Sequence, residues 1–88
     1  MKKIKMAGLN TEIEHRGSSF HVQTQDKGLG AHYVETIIYK SGRVLSSRRS
    51  SYTSNLNSPD LNRNIQNLIQ KQHDTVLAEI KKGKFDHL

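Results

Sequence analysis

Residues 11–24 read TEIEHRGSSFHVQT, and this stretch decides the fold. Apolar and polar side chains alternate on both sides of Arg16-Gly17, the pattern of two strands joined by a two-residue turn. Pairing across that turn sets Ile13 opposite Phe20 and gathers the apolar residues on one face. Because a slip of one residue would move every side chain to the other face, this register is strongly favoured.

A second hairpin follows the first. Residues 32–40 are rich in β-branched and aromatic types, which favour strands, and Ser41-Gly42 is a second tight-turn signal. Residues 43–52 then continue as a fourth strand. The expected pairs across the turn are Tyr39 with Val44, Ile38 with Leu45, and Glu35 with Arg48 as an ion pair.

The pattern changes to a helix at residues 58–82. Ser58 suits the N-cap, Pro59 suits the first helical position, and Gly83 suits the residue just past the end. Apolar residues recur at helical spacing, which predicts one buried stripe. The stripe consists of Leu61, Ile65, Leu68, Ile69, Val76 and Ile80.

These elements predict an α+β fold, a four-stranded antiparallel meander followed by one long C-terminal helix packed on one face. The strands are expected near 10–16, 18–25, 32–40 and 43–52. One domain spans 10–83, between a basic flexible tail at 1–9 and a C-terminal tail at 84–88. The helical stripe completes a core whose sheet members are Ile13, Phe20, Val22, Val34, Ile38 and Leu45.

Composition bounds the function. The chain of 88 residues allows one small domain, and its Leu, Ile, Val and Phe number only 21. It has no cysteine, which excludes disulfides, zinc ribbons and thiol nucleophiles. Neither a secretory signal nor a membrane-spanning run is recognisable, so we expect a cytoplasmic protein without a membrane partner.

The net charge of +6 suggests an anionic partner. The region 40–58 holds seven serines and no acidic residue, and its cations suit contact with phosphate oxygens of nucleic acid. The alternative is a solvated edge strand whose charges oppose aggregation. The predicted anion contacts are Lys40, Arg43, Arg48 and Arg49, with Lys2, Lys3 and Lys5 as further candidates.

Several features predict a homo-oligomer. The predicted helix is longer than the strands, the third strand is apolar on both faces, and a polar residue interrupts the helical stripe. The alternative is a frayed helix end with that polar residue reaching solvent. The predicted oligomer contacts are Tyr33, Ile37, Tyr39, Gln72 and Leu77.

Nothing in the sequence predicts catalysis, a cofactor or a metal. The five histidines are scattered, and no serine lies in a glycine-flanked elbow. Gly28-Leu29-Gly30 is too short for a dinucleotide fingerprint. Glu12 and Glu14 share a face that looks open and solvated, which does not suit acid catalysis.

The runs FHVQTQD at 20–26, VET at 34–36 and SSY at 50–52 resemble a group of small uncharacterised bacterial proteins. Gln72-His73 and the ending GKFD at 83–86 are also similar, and Tyr39 and Gly42 match as well. No activity is established for that group, so the resemblance implies no catalytic residue. The architecture alone resembles the small coactivators that bind single-stranded DNA on a sheet and dimerise through a helix.

The sequence therefore predicts a non-catalytic interaction module that self-associates through its long helix or its exposed sheet face. The alternative is binding of single-stranded DNA or RNA through the basic fourth strand and the N-terminal lysines.

Overall fold

A computed structural model describes residues 8–28 and 30–88. Its antiparallel sheet has the order β1-β2-β3-β4, and one helix, α1, follows the sheet in the chain. The ββββα fold expected from the sequence is confirmed. The elements are β1 Gly8–His15, β2 Ser18–Asp26, β3 Tyr33–Lys40, β4 Arg43–Ser51, a short 3-10 helix Thr53–Asn55, and α1 Leu61–Lys81.

The first hairpin has the predicted register, with Ile13 opposite Phe20. Arg16 and Gly17 have φ angles of 52° and 79°, so both central residues of the turn are left-handed. Such turns match the right-handed twist of the flanking strands. Ser41-Gly42 has the same geometry, with φ angles of 54° and 82°.

The second hairpin departs from the predicted register after its first pairs. Tyr39 lies opposite Val44 as expected, but the register shifts between Ile38 and Tyr39, so Ile38 lies opposite Ser46. The extra residue on β4 is Leu45, which packs against the core. Because a bulge places two residues opposite one, every later pair is displaced by one position.

The displaced register changes the predicted ion pair. Glu35 lies opposite Arg49, and the predicted pair of Glu35 with Arg48 was wrong. Arg49 Nε donates to Glu35 Oε2 over 3.2 Å. Arg48 instead contacts the helix, where it bonds Glu79.

The helix begins at Leu61 with Asp60 as its N-cap, two residues later than the predicted N-cap. Ser58 closes the preceding turn, where its Oγ accepts from the Asp60 amide over 3.1 Å and its carbonyl accepts from the Leu61 amide. α1 has 21 residues. Among the described residues, no helix has the length and apolar character needed to cross a membrane.

α1 ends at Lys81, and Gly83 just past the end has a φ of 87°, as predicted for a residue in that position. The Gly83 amide donates to Ile80 and the Lys84 amide donates to Glu79, the paired bonds of a Schellman end. This turn sends the chain back toward the sheet.

Phe85 is 9% exposed and joins the core, although the sequence placed it in a tail at 84–88. At the other end, Gly8 and Leu9 belong to β1, although the sequence placed them in a tail at 1–9, and residues 1–7 lie outside the described residues.

The covered face of the sheet and α1 enclose two apolar clusters. All twelve predicted core residues belong to these clusters or pack against them. Tyr52 and Phe85 are additional buried members. The first cluster is centred on Phe20, Val22, Ile38, Val76, Ile80 and Phe85, and the second on Val34, Tyr52, Ile65 and Ile69.

Tyr52 also fixes the loop between β2 and β3. Its hydroxyl lies 2.6 Å from Asp26 Oδ1 and 3.1 Å from the Gly28 carbonyl oxygen. Asp26 Oδ1 also accepts from the Gly28 amide. Burial, together with the hydrogen bond to the Asp26 carboxylate, raises the pKa of Tyr52 to about 12.

We predict that Phe85→Ala lowers the free energy of unfolding by about 3 kcal/mol, because it empties a buried aromatic site. Urea unfolding followed by circular dichroism measures the change. His87→Ala is the matched control, because His87 is exposed two residues later. If both variants unfold at the same urea concentration as the parent, Phe85 does not stabilise the core and residues 84–88 behave as a tail.

Candidate interaction surfaces

A row of polar side chains crosses the interior between the two apolar clusters. His73 is 2% exposed, and its ring nitrogens lie 2.8 Å from Thr11 Oγ1 and 2.8 Å from Thr24 Oγ1. Thr24 lies 2.7 Å from Thr36 Oγ1, which also accepts from Gln72 over 2.8 Å. We call this set the polar row. Its members are Thr11, Thr24, Thr36 and Ser50 from the four strands, and Gln72 and His73 from α1.

One direction of donation satisfies the centre of this row. Gln72 donates to Thr36, so the Thr36 hydroxyl is free to donate to Thr24, and Thr24 can then donate to His73 Nδ1. His73 Nε2 in turn carries the proton that is donated to Thr11. This direction requires a neutral imidazole, and burial does lower the pKa of His73 below 6.5.

Two predicted oligomer contacts lie inside this arrangement. Gln72 is 6% exposed, accepts from Ser50 Oγ and also donates to the Arg48 carbonyl, all within its own chain. Gln72, the polar residue that interrupts the helical stripe, therefore has its hydrogen-bond partners in the sheet beneath it. Leu77 is half-buried against the first apolar cluster. Both side chains thus make their contacts within their own chain.

The motifs behind the family resemblance meet at these contacts. Thr24, Thr36 and Gln72-His73 belong to the polar row. Tyr52 and Asp26 form the loop contact described above. The shared residues thus have a structural role in this chain.

No helix of the described residues crosses the other face of the sheet, and we call this the open face. Tyr33, Ile37 and Tyr39 from β3 lie on it and are half-buried by their neighbours. Val44, opposite Tyr39, is 66% exposed. This surface brings together three of the predicted oligomer contacts, Tyr33, Ile37 and Tyr39, beside Val44, which the sequence analysis did not single out.

Arg48 and Arg49 lie on opposite faces of β4. Arg48 makes two hydrogen bonds to the Glu79 carboxylate, at 2.6 and 3.2 Å, and these lower the pKa of Glu79. Arg49 pairs with Glu35 and lies over the Tyr33 ring, 4.8 Å from its centroid. Both guanidinium groups are thus already partnered within the chain.

The other two predicted anion contacts lie at the far end of the sheet. Lys40 donates to the Leu88 carbonyl over 2.9 Å and lies over Phe20 on the covered side. Arg43 lies opposite Lys40 in the pairing of β3 with β4, and both residues line one hollow at this end. The four cations therefore do not form one patch. The candidates Lys2, Lys3 and Lys5 lie outside the described residues.

A shallow hollow of about 380 Å³ opens on the open face beside His21. His21 Nδ1 lies 3.6 Å from Glu12 Oε2, and His21 Nε2 lies 3.2 Å from Asn10 Oδ1. Two metal-ligating side chains do not complete a site. No group of three or more such side chains occurs in the described part of the chain.

Comparison of the chain with protein-family models, with curated proteins and with solved structures found no match. The family resemblance drawn from the sequence stays a prediction. The case for a function therefore depends on the surfaces of this chain.

We predict that the free energy of unfolding decreases as the pH falls below about 6.5. Below this pH the unfolded chain binds a proton at His73 more readily than the folded chain does. The contribution of His73 to stability is therefore full above pH 6.5 and declines as the pH falls toward the lowered pKa of His73 in the folded state. Urea unfolding between pH 7.5 and 5.5 measures the slope, above the range in which Glu79 titrates.

His73→Gln should be less stable and should lose this contribution to the pH dependence. His87→Gln, at an exposed position, should keep it. Equal slopes in the parent and in His73→Gln would contradict the proposed neutral state.

We predict that Thr24→Val costs about 1–3 kcal/mol at pH 7.5, because it leaves buried groups of His73 and Thr36 without a partner while the shape is kept. Thr75→Val, on the exposed side of α1, is the matched control and should cost far less. Thermal and urea unfolding of both variants provide the measurement. Equal losses would show that the hydroxyl of Thr24 is not part of a stabilising chain.

Proposed function

We propose that this protein is a non-catalytic, cytoplasmic interaction module that self-associates through its open face. The observation that carries the proposal is the apolar strip of β3 and β4 on the open face, which no helix in the described part of the chain covers. The strip consists of Tyr33, Ile37, Tyr39 and Val44.

The helix is the weaker candidate for self-association. The exposed positions of α1 are polar or charged apart from Ala78, and its large apolar residues pack toward the sheet. Interface cores are depleted of charged residues and enriched in tyrosine. This contrast favours the sheet face over the helix.

Charges at opposite corners of the open face favour a second copy as the occupant. Glu12 and Glu14 lie near the first hairpin turn on β1, whereas Arg49 lies on β4 toward the opposite end of the strands. Arg49 and Lys27 both pair with Glu35 there, so this corner keeps one cation in excess. The two open faces would pack against each other around a two-fold axis that lies in the interface, along the diagonal between the two remaining corners of the face. This axis would place the acidic corner of each copy over the basic corner of its partner. The two sheets would then cross at nearly 90°, one of the common angles of sheet packing.

The size of the face predicts a weak dimer. Four strands spaced about 4.8 Å apart, with eight residues rising about 3.3 Å each, offer roughly 500 Å² per copy. Stable interfaces bury about 800 Å² per partner. We therefore expect a dissociation constant in the micromolar range or weaker.

We predict that Ile37→Lys abolishes dimerisation, because it places an unpaired charge at the centre of the open face. Sedimentation velocity over a concentration series measures the association. Gln70→Lys, the same change in charge on the exposed side of α1, should dimerise like the parent. A parent protein that stays monomeric at about 1 mM would refute self-association, since even weak dimers form at that concentration.

A charge exchange tests the crossed arrangement. Glu12→Arg/Glu14→Arg and Arg49→Glu should each weaken self-association, because each brings like charges together. Mixing the two variants should restore association above either alone, since each acidic corner again meets a basic one. Failure of the mixture, with the parent still dimeric, would reject this geometry while leaving the interface itself standing.

A further inference from the structure

The outer edge of β4 is unpaired in the described part of the chain. About half of the amide and carbonyl groups of an edge strand point away from its neighbour. The bulge at Leu45 disturbs the first part of β4, so the regular free stretch is residues 47–51. This stretch can accept one more strand.

A groove accompanies the same stretch. α1 lies over β1, β2 and β3, and between it and β4 are adjoining hollows of about 310 and 300 Å³. Leu68 and Lys71 line both hollows, so the two form one groove parallel to the strand edge. Arg48 and Ser50 form the wall on the side of β4.

The groove is cationic. Its lining includes Arg48 and Lys71 and no carboxylate side chain. Glu79 offsets the charge of Arg48, whereas Lys71 makes no ion pair with the other described residues. Because Lys71 borders the apolar surface of Leu68, a ligand needs both a negative charge and an aliphatic part.

We propose that the groove between β4 and α1 binds an extended acidic peptide segment of another protein, which adds to β4 as a fifth strand. Main-chain bonds to residues 47–51 would give affinity, and alternate side chains would reach the groove between Arg48 and Lys71. The one aromatic side chain in the lining, Tyr52, is 2% exposed and offers no ring for base stacking. The groove therefore suits a peptide better than single-stranded nucleic acid.

A second copy of this chain is a poorer occupant. Pairing of β4 with another β4 would bring its arginines together, since the strand holds three arginines and no carboxylate. Pairing of β4 with the other edge strand, β1, of a neighbour would not close and would form open chains.

The test uses a fluorescein-labelled octapeptide of the repeat Val-Thr-Glu-Thr, so that the side chains on one face of the extended peptide are in turn aliphatic and acidic. It is titrated with the Ile37→Lys variant so that self-association plays no part. We expect saturable anisotropy, weakened at least about tenfold by Lys71→Glu, which corresponds to about 1.4 kcal/mol. Lys81→Glu, the same change elsewhere on α1, should weaken binding less than about twofold.

Two N-methylated peptides distinguish strand addition from simple charge attraction. Each carries methyl groups on one alternate set of its amides. Because only one set of N–H groups of an added strand faces β4, one methylated peptide should lose binding and the other should keep it.

Four results would overturn the proposal. These are no binding at about 1 mM protein, equal behaviour of both methylated peptides, equal weakening by Lys71→Glu and Lys81→Glu, or oligothymidylate that displaces the peptide and binds more tightly. The last result would identify a single-stranded nucleic-acid groove instead.

Discussion

The interior of this protein depends on the hydrogen bonds that join Gln72 and His73 to the four strands. An unpaired buried polar group costs about 1–3 kcal/mol, so α1 cannot slide or rotate on the sheet without losing several partners at once. Apolar packing alone tolerates such shifts, because one aliphatic contact can replace another. The polar row therefore fixes the position of α1, and the apolar clusters on either side supply the driving force for burial.

The position of α1 determines which surfaces stay open. The helix lies over β1, β2 and β3 and reaches β4 only through side chains such as Arg48 and Ser50. The open face, the outer edge of β4 and the groove beside that edge are left without a partner among the described residues. Both proposed contacts follow from this offset placement, the first across the face and the second along the edge. They use different surfaces, so each can be occupied while the other is empty.

The sequence was sufficient where a local rule applies. The register of the first hairpin follows from two-residue periodicity and a left-handed turn, and the helix end follows from Gly83. The bulge at Leu45 was missed because Val44-Leu45-Ser46 continues the strand without a local signal. Phe85 was missed because periodicity stops at the helix end. The position of Gln72 within the apolar stripe indicated that it is buried, but the sequence alone did not show that Thr36 and Ser50 lie beneath it.

The small number of strong hydrophobic residues acquires a physical meaning in this arrangement. With 21 such residues in 88, the covered face is completed by threonines, which offer a methyl group for packing and a hydroxyl for the polar row. A chain whose buried polar groups find hydrogen-bond partners within the chain does not need a second copy to complete its core. Self-association through the open face would therefore join units that are already folded. Such a contact can be small and reversible, because the stability of each unit does not depend on it.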